Sequence, residues 1–194
     1  MGSGSTRSRA LLAAAALVLV TGALAHAQVP AGNVLYQADW VNGLGGWSGG
    51  SDWRVADNML LNDGSARNSL AVAPYRPPSA DYIVEADVQR PRGGAFALWL
   101  RGDNNSGGYQ ALVSGDGIAI VAAPEQQLVR LEWDPESDWH TYSFVARGNK
   151  LQVYADGSLW DEIEDNTYLT GTQNGLWSDG TDVSVRGYRV LAVQ

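Results

Sequence analysis

No cysteine occurs among the 194 residues, which excludes thiol nucleophiles, disulfide frameworks and Cys-ligated metals and leaves the core alone to hold the fold. Histidine is nearly as scarce. His26 and His140 are the only two, too few for a histidine metal cluster. Basic residues are outnumbered, 13 Lys and Arg against 21 Asp and Glu, for a net charge of −8. An acidic surface repels phosphate backbones and anionic lipid, so neither nucleic acid nor a membrane surface is expected as a partner. Beyond residue 24 no long apolar run appears, and no segment holds a 3.6-residue apolar period over three turns, which leaves no membrane-spanning or amphipathic helix to expect. Low-complexity linkers and solenoid-length repeats are likewise absent.

What is present begins with a leader. Arg7 and Arg9 precede an apolar run over residues 10–24, and Ala25-His26-Ala27 has the small-x-small form of a cleavage site. Residues 1–27 therefore read as a signal peptide, and the mature chain is expected to start at Gln28 and to be secreted, extracellular or periplasmic. Arg7 and Arg9 are the only Asp, Glu, Lys or Arg residues in that leader, so residues 28–194 carry 11 basic against 21 acidic groups, a balance of −10. These 167 residues suffice for one domain with a proper core. Eight Trp and eight Tyr supply much of it, and the same rings can stack on sugars.

Short β-type runs separated by Gly, Asn and Asp clusters predict strands over 33–39, 52–56, 58–62, 68–73, 81–90, 95–102, 108–114, 117–122, 127–133, 139–147, 150–155, 158–163, 174–178 and 182–193. Asp57-Asn58, Gly148-Asn149 and Asp156-Gly157 are turn pairs that accept positive φ. The expected fold class is all-β, a two-sheet antiparallel jelly-roll sandwich. Alternation sorts the strand faces: Tyr82, Val84, Ala86 and Val88 oppose Ile83, Glu85, Asp87 and Gln89; Phe96, Leu98 and Leu100 oppose Ala97, Trp99 and Arg101; Tyr109, Ala111 and Val113 oppose Gln110, Leu112 and Ser114. If the three strands are neighbours, their mixed faces join into one outward surface bearing Glu85, Asp87, Trp99, Arg101 and Gln110. That surface is the expected ligand site, with Trp99 stacking on a sugar ring and the polar groups taking its hydroxyls. The loops around Trp47 and Trp177 are the next candidates.

Several stretches resemble the laminin-G-like branch of the concanavalin A-like lectin/glucanase superfamily. They include Gly43-Leu44-Gly45-Gly46-Trp47, Trp53-Arg54-Val55-Ala56-Asp57-Asn58-Met59-Leu60, Trp139-His140-Thr141-Tyr142, Val153-Tyr154-Ala155-Asp156-Gly157 and Gly175-Leu176-Trp177. The middle of the chain is distantly similar to 3-keto-disaccharide hydrolase domains, whose "G-Y-E-x-Q" element reads Gly108-Tyr109-Gln110-Ala111-Leu112 here. Two of its polar positions are thus altered. The resemblance implies a jelly roll and sugar chemistry, as lectin-like binding module, glycoside hydrolase or structural adhesion domain.

For hydrolysis the candidates are Glu85 and Asp87, about 6.5–7 Å apart at Cα on one strand face, within the span that glycosidase carboxylates use. Related retaining glucanases carry a third acid on that strand, where this chain has Gln89 or Arg90. His140, beside Trp139 at a strand start, reads as structural. No cofactor is expected beyond a structural calcium, which the resemblance admits; the oxygen-rich Asp103-Asn104-Asn105-Ser106-Gly107 loop and the turn flanked by Asp179 and Asp182 could supply ligands or be plain Asx turns. Neither the particular sugar nor the oligomeric state is legible.

Overall fold

A computed structural model describes residues 28–194 apart from 91–92, 104–106, 125 and 133–136. The leader and the centre of the 103–107 loop lie outside the described residues. In chain order the strands are β1 (Ala31–Gln37), β2 (Ser48–Gly49), β3 (Trp53–Ala56), β4 (Met59–Asp63) and β5 (Ser69–Val72). There follow β6 (Tyr82–Gln89), β7 (Ala95–Gly102), β8 (Gly108–Ser114), β9 (Gly117–Ala123) and β10 (Gln126–Leu131). The last are β11 (Trp139–Arg147), β12 (Lys150–Ala155), β13 (Ser158–Glu164), β14 (Gln173–Asp179) and β15 (Asp182–Val193). One 3-10 turn, Trp40–Asn42, is the only helical element among the described residues. It ends β1 two residues earlier than the sequence suggests, because the Asp39 carboxylate caps it, accepting from Val41 N–H at 3.0 Å.

The strands form two antiparallel sheets packed as a sandwich. One has the order β13-β12-β11-β6-β15-β4-β3, with β1 also paired to β15; it holds the first and last strands and is called the terminal sheet. The other, β10-β9-β8-β7-β14-β5-β2, contains the consecutive run β7 to β10 and is called the meander sheet. Every inward face predicted from alternation is inward: Tyr82, Val84, Ala86, Val88, Phe96, Leu98, Leu100, Tyr109, Ala111 and Val113 all belong to the central core. Each large apolar side chain buried there stabilises the sandwich by about 1.5–3 kcal/mol. The β3–β4 hairpin closes on Asp57 (φ 53°) and Asn58 (φ 58°), the left-handed pair of a type I′ turn that matches strand twist.

The expected adjacency fails. β7 and β8 are neighbours, but β6 lies in the opposite sheet between β11 and β15. Both sheets of a sandwich have an outward face, and alternation separates inside from outside without saying which sheet a strand joins. Glu85 and Asp87 therefore lie on the opposite side of the molecule from Trp99 and Gln110.

Candidate functional site

On the meander sheet the register aligns outward positions in rows, Leu70, Trp177, Ala97, Leu112 and Ala119 in one, Trp99, Gln110 and Val121 in the next. Between them lies a recess of about 90 Å³ lined by Asn68, Leu70, Trp99, Gln110 and Trp177. Trp177 is partly exposed, and its indole Nε1–H donates to Asn68 Oδ1 at 2.7 Å, which fixes the ring. Asn68 sits in the left-handed region (φ 52°), its N–H donating to Asp179 Oδ1 at 3.2 Å while Arg67 pairs with Asp179 at 3.4 Å. Among the described residues the recess thus offers one partly exposed indole and two carboxamides, with no charged group in its lining.

Trp99 and Gln110 come together as expected, but Trp99 does not present its ring. It is only 1% exposed, because the backbones of Gly102 and Gly108 close over it; a Cβ on Gly102 would fall within the indole. Arg101 departs further. Its positive φ of 51° turns the side chain away from the outer face and into the end of the sandwich. There it is fully buried, donating from Nε to Ala80 O at 2.8 Å and from Nη1 to Tyr168 O at 3.2 Å, with Asp81 Oδ1 2.9 Å from Nη2. Arg101 ties three segments together and is no ligand donor.

Glu85 and Asp87 face outward from the terminal sheet. Glu85 is flanked across the register by Ser143 and Arg189, and both bind its carboxylate, Ser143 at 3.0 Å. Asp87 accepts from Thr141 Oγ1 at 2.5 Å and lies 3.7 Å from Arg186 Nε. With Gln37 and Gly187 they line a groove of about 270 Å³. Among the described residues no third acid joins them: Gln89 Nε2 donates to Ser137 O at 2.9 Å and Arg90 Nη1 to Gly93 O at 2.7 Å. Sequence reasoning missed Arg186, Arg189 and Gln37, because the arginines meet β6 through pairings about a hundred positions apart along the chain and Gln37 reaches the groove only through its pairing with Arg189.

The remaining candidates are structural. His140 Nδ1 lies 2.7 Å from Asp156 Oδ2 across the β11–β12 hairpin. Trp47 is buried, donating to the Tyr36 hydroxyl at 3.0 Å and packing edge-on to Tyr188. Of the two calcium candidates, the oxygen-rich 103–107 loop has its centre outside the described residues; at the other, Asp179 is held by Arg67 and Asn68, and no group of three or more acidic or histidine side chains that could hold a metal occurs among the described residues.

No protein-family profile matches the chain, and no curated protein sequence matches it. Solved structures do. The carbohydrate-binding module CBM66 from Bacillus subtilis superposes with a TM-score of 0.68 at 19% identity, over 76% of this chain and 96% of that one. An endo-β-1,3-glucanase from Pyrococcus furiosus gives 0.64 at 12% identity, covering 83% and 94%. The exoplasmic/lumenal domain of VIP36, in its form bound to Ca2+ and Man3GlcNAc, gives 0.63 at 10% identity, covering 78% and 85%. All three are concanavalin A-like sandwiches, and that is the fold of this chain.

Proposed function

We propose that the chain is a carbohydrate-binding module that holds a neutral sugar on the outer face of the meander sheet. Trp177 is the stacking ring, and Gln110 and Asn68 take the hydroxyls. The observation that carries this reading is the recess itself, an indole fixed by a hydrogen bond beside two side-chain amides. A pyranose has an apolar face for such a ring and a rim of hydroxyls for amides that both donate and accept. Stacking contributes about 1 kcal/mol and each amide hydrogen bond about 0.5–1.5 kcal/mol, which sums to about 2–4 kcal/mol, an affinity of about millimolar or weaker for a single sugar. Likeness to a carbohydrate-binding module and to a glycan-bound lectin domain supports the same reading.

Binding without cleavage is the form the site favours. Among the described residues no carboxylate lines the recess, and Glu85 and Asp87, the candidates for hydrolysis, face outward on the opposite sheet. We propose in addition that residues 1–27 direct secretion and are removed before Gln28, so the module meets its glycan outside the cell. Mass spectrometry of exported protein should find Gln28, or its pyroglutamate, at the N-terminus; a start at Met1 would contradict export by cleavage.

A glycan array with the wild-type chain, followed by titration of the retained sugar, tests binding. Trp177→Ala should weaken it about fivefold or more with an unchanged far-UV circular dichroism spectrum. A blank array across neutral glycans would leave the structural or adhesion reading in its place. Turnover of a glycoside panel, abolished by Glu85→Gln/Asp87→Asn, would restore the hydrolase.

A further inference from the structure

On the opposite face, we infer that the groove between β6 and β15 is a second binding site, selective for a sugar that carries a carboxylate. It goes beyond the neutral-sugar reading and does not depend on it. The groove is built by an irregularity in β15. Val185 pairs with Val88 and faces the core, whereas the next paired residue, Gly187, stands opposite Asp87 on the outer face, so Arg186 is the extra residue of a β-bulge. On an unbroken strand residues three apart point to opposite sides. The bulge instead places Arg186 and Arg189 together on the outer face, with Gly187 between them contributing no side chain.

That glycine keeps the groove open. A Cβ at Gly187 would stand 3.2 Å from Asp87 Oδ2, in the space bounded by Glu85, Asp87, Arg186, Arg189 and Gln37. Arg186 is held ready: its guanidinium lies 4.6 Å from the Trp139 ring centroid, and at 3.7 Å from Asp87 it makes no direct hydrogen bond among the described residues. Arg189 uses one terminal nitrogen on Glu85, which is itself only 11% exposed at its side chain, while both arginine side chains remain about half exposed. The four charges cancel, so an anion entering here meets no net repulsion from the groove itself. The free N–H groups of two guanidiniums match a carboxylate in bidentate geometry. The outer lone pairs of Glu85 and Asp87 and the Gln37 amide match hydroxyls. Donors for a carboxylate beside acceptors for hydroxyls describe a uronic acid better than an acidic peptide, which has few hydroxyls to offer.

Nuclear magnetic resonance titration of the full mature chain with trigalacturonate, and with its neutral methyl ester, tests this. Saturable shifts of the Arg186 and Arg189 Nε–H signals are expected with the acid, at least tenfold weaker with the ester and weakened by added salt. Arg186→Gln, which leaves Asp87 its bond to Thr141, should reduce affinity at least tenfold while the fold stays intact; Arg189→Lys should do so partially, by losing the fork geometry. Trp177→Ala should leave uronate binding unchanged, so failure of the neutral-sugar site and failure of this one are told apart. Equal affinity for acid and ester, insensitivity to Arg186→Gln, or stronger binding of a poly-glutamate peptide than of trigalacturonate would each overturn the assignment.

Discussion

Trp99 lies on the outward side of its strand and is nevertheless enclosed, since the chain leaving β7 and entering β8 runs over its ring through Gly102 and Gly108. Removing the indole empties a filled space. Trp99→Ala should therefore cost about 3–5 kcal/mol of stability, read as a lowered urea midpoint, where an exposed stacking residue would leave the midpoint almost unmoved. Arg101 follows the same logic. Arg101→Ala strands the carbonyls of Ala80 and Tyr168, a loss of about 2–3 kcal/mol, and the protein that remains folded should bind sugar as before. Trp99 was legible as an outward position and illegible as a buried one; Arg101 was expected outward and is neither outward nor exposed. Alternation reports the side of a strand on which a residue projects; what covers that side is set by glycines and loops several positions away, and a positive φ at Arg101 reverses the projection outright.

Strands were the most readable level, because a pleated backbone forces period-two patterning on anything with one dry face. The inward sets of β6, β7 and β8 follow it residue by residue. The two-residue β2 escaped notice, too short to show a period. Turn chemistry was equally legible at Asp57-Asn58, where both residues hold left-handed φ. Asn58→Gly should be neutral or slightly stabilising, whereas Asn58→Val, β-branched at positive φ, should cost about 1–3 kcal/mol; thermal melts of the two variants compare them directly. Sheet membership was the missing information. β6 pairs with β11 and β15, and no local signal distinguishes that arrangement from one beside β7. The bulge in β15, which decides where Arg186 points, is equally silent in the sequence.

Across the whole molecule, buried tyrosines set a limit at high pH. Burial raises Tyr82, Tyr142 and Tyr188 well above the usual phenol range, and burial together with the hydrogen bond to Asp165 pushes Tyr109 up to about 12. Raised folded values mean that the folded chain keeps protons which the unfolded chain has already released above about pH 10, so stability is full below that pH and falls as pH rises beyond it. Chemical denaturation between pH 8 and 11 should show no loss to about pH 10 and then a cooperative decline accompanied by phenolate absorbance; early tyrosine ionisation with the fold intact would contradict the burial. The acidic surface and scarcity of cations, readable at once, describe the partner only by exclusion. The proposed sugar site depends on the meeting of Trp177, Asn68 and Gln110, residues from three strands or turns far apart along the chain. The most direct measurement is the indole N–H resonance of Trp177, assigned by its loss in Trp177→Phe, during titration with the neutral glycan retained on an array. A saturable shift of that signal, with the Arg186 and Arg189 side-chain signals unmoved, is the predicted result; saturable binding that leaves it unmoved would contradict the site.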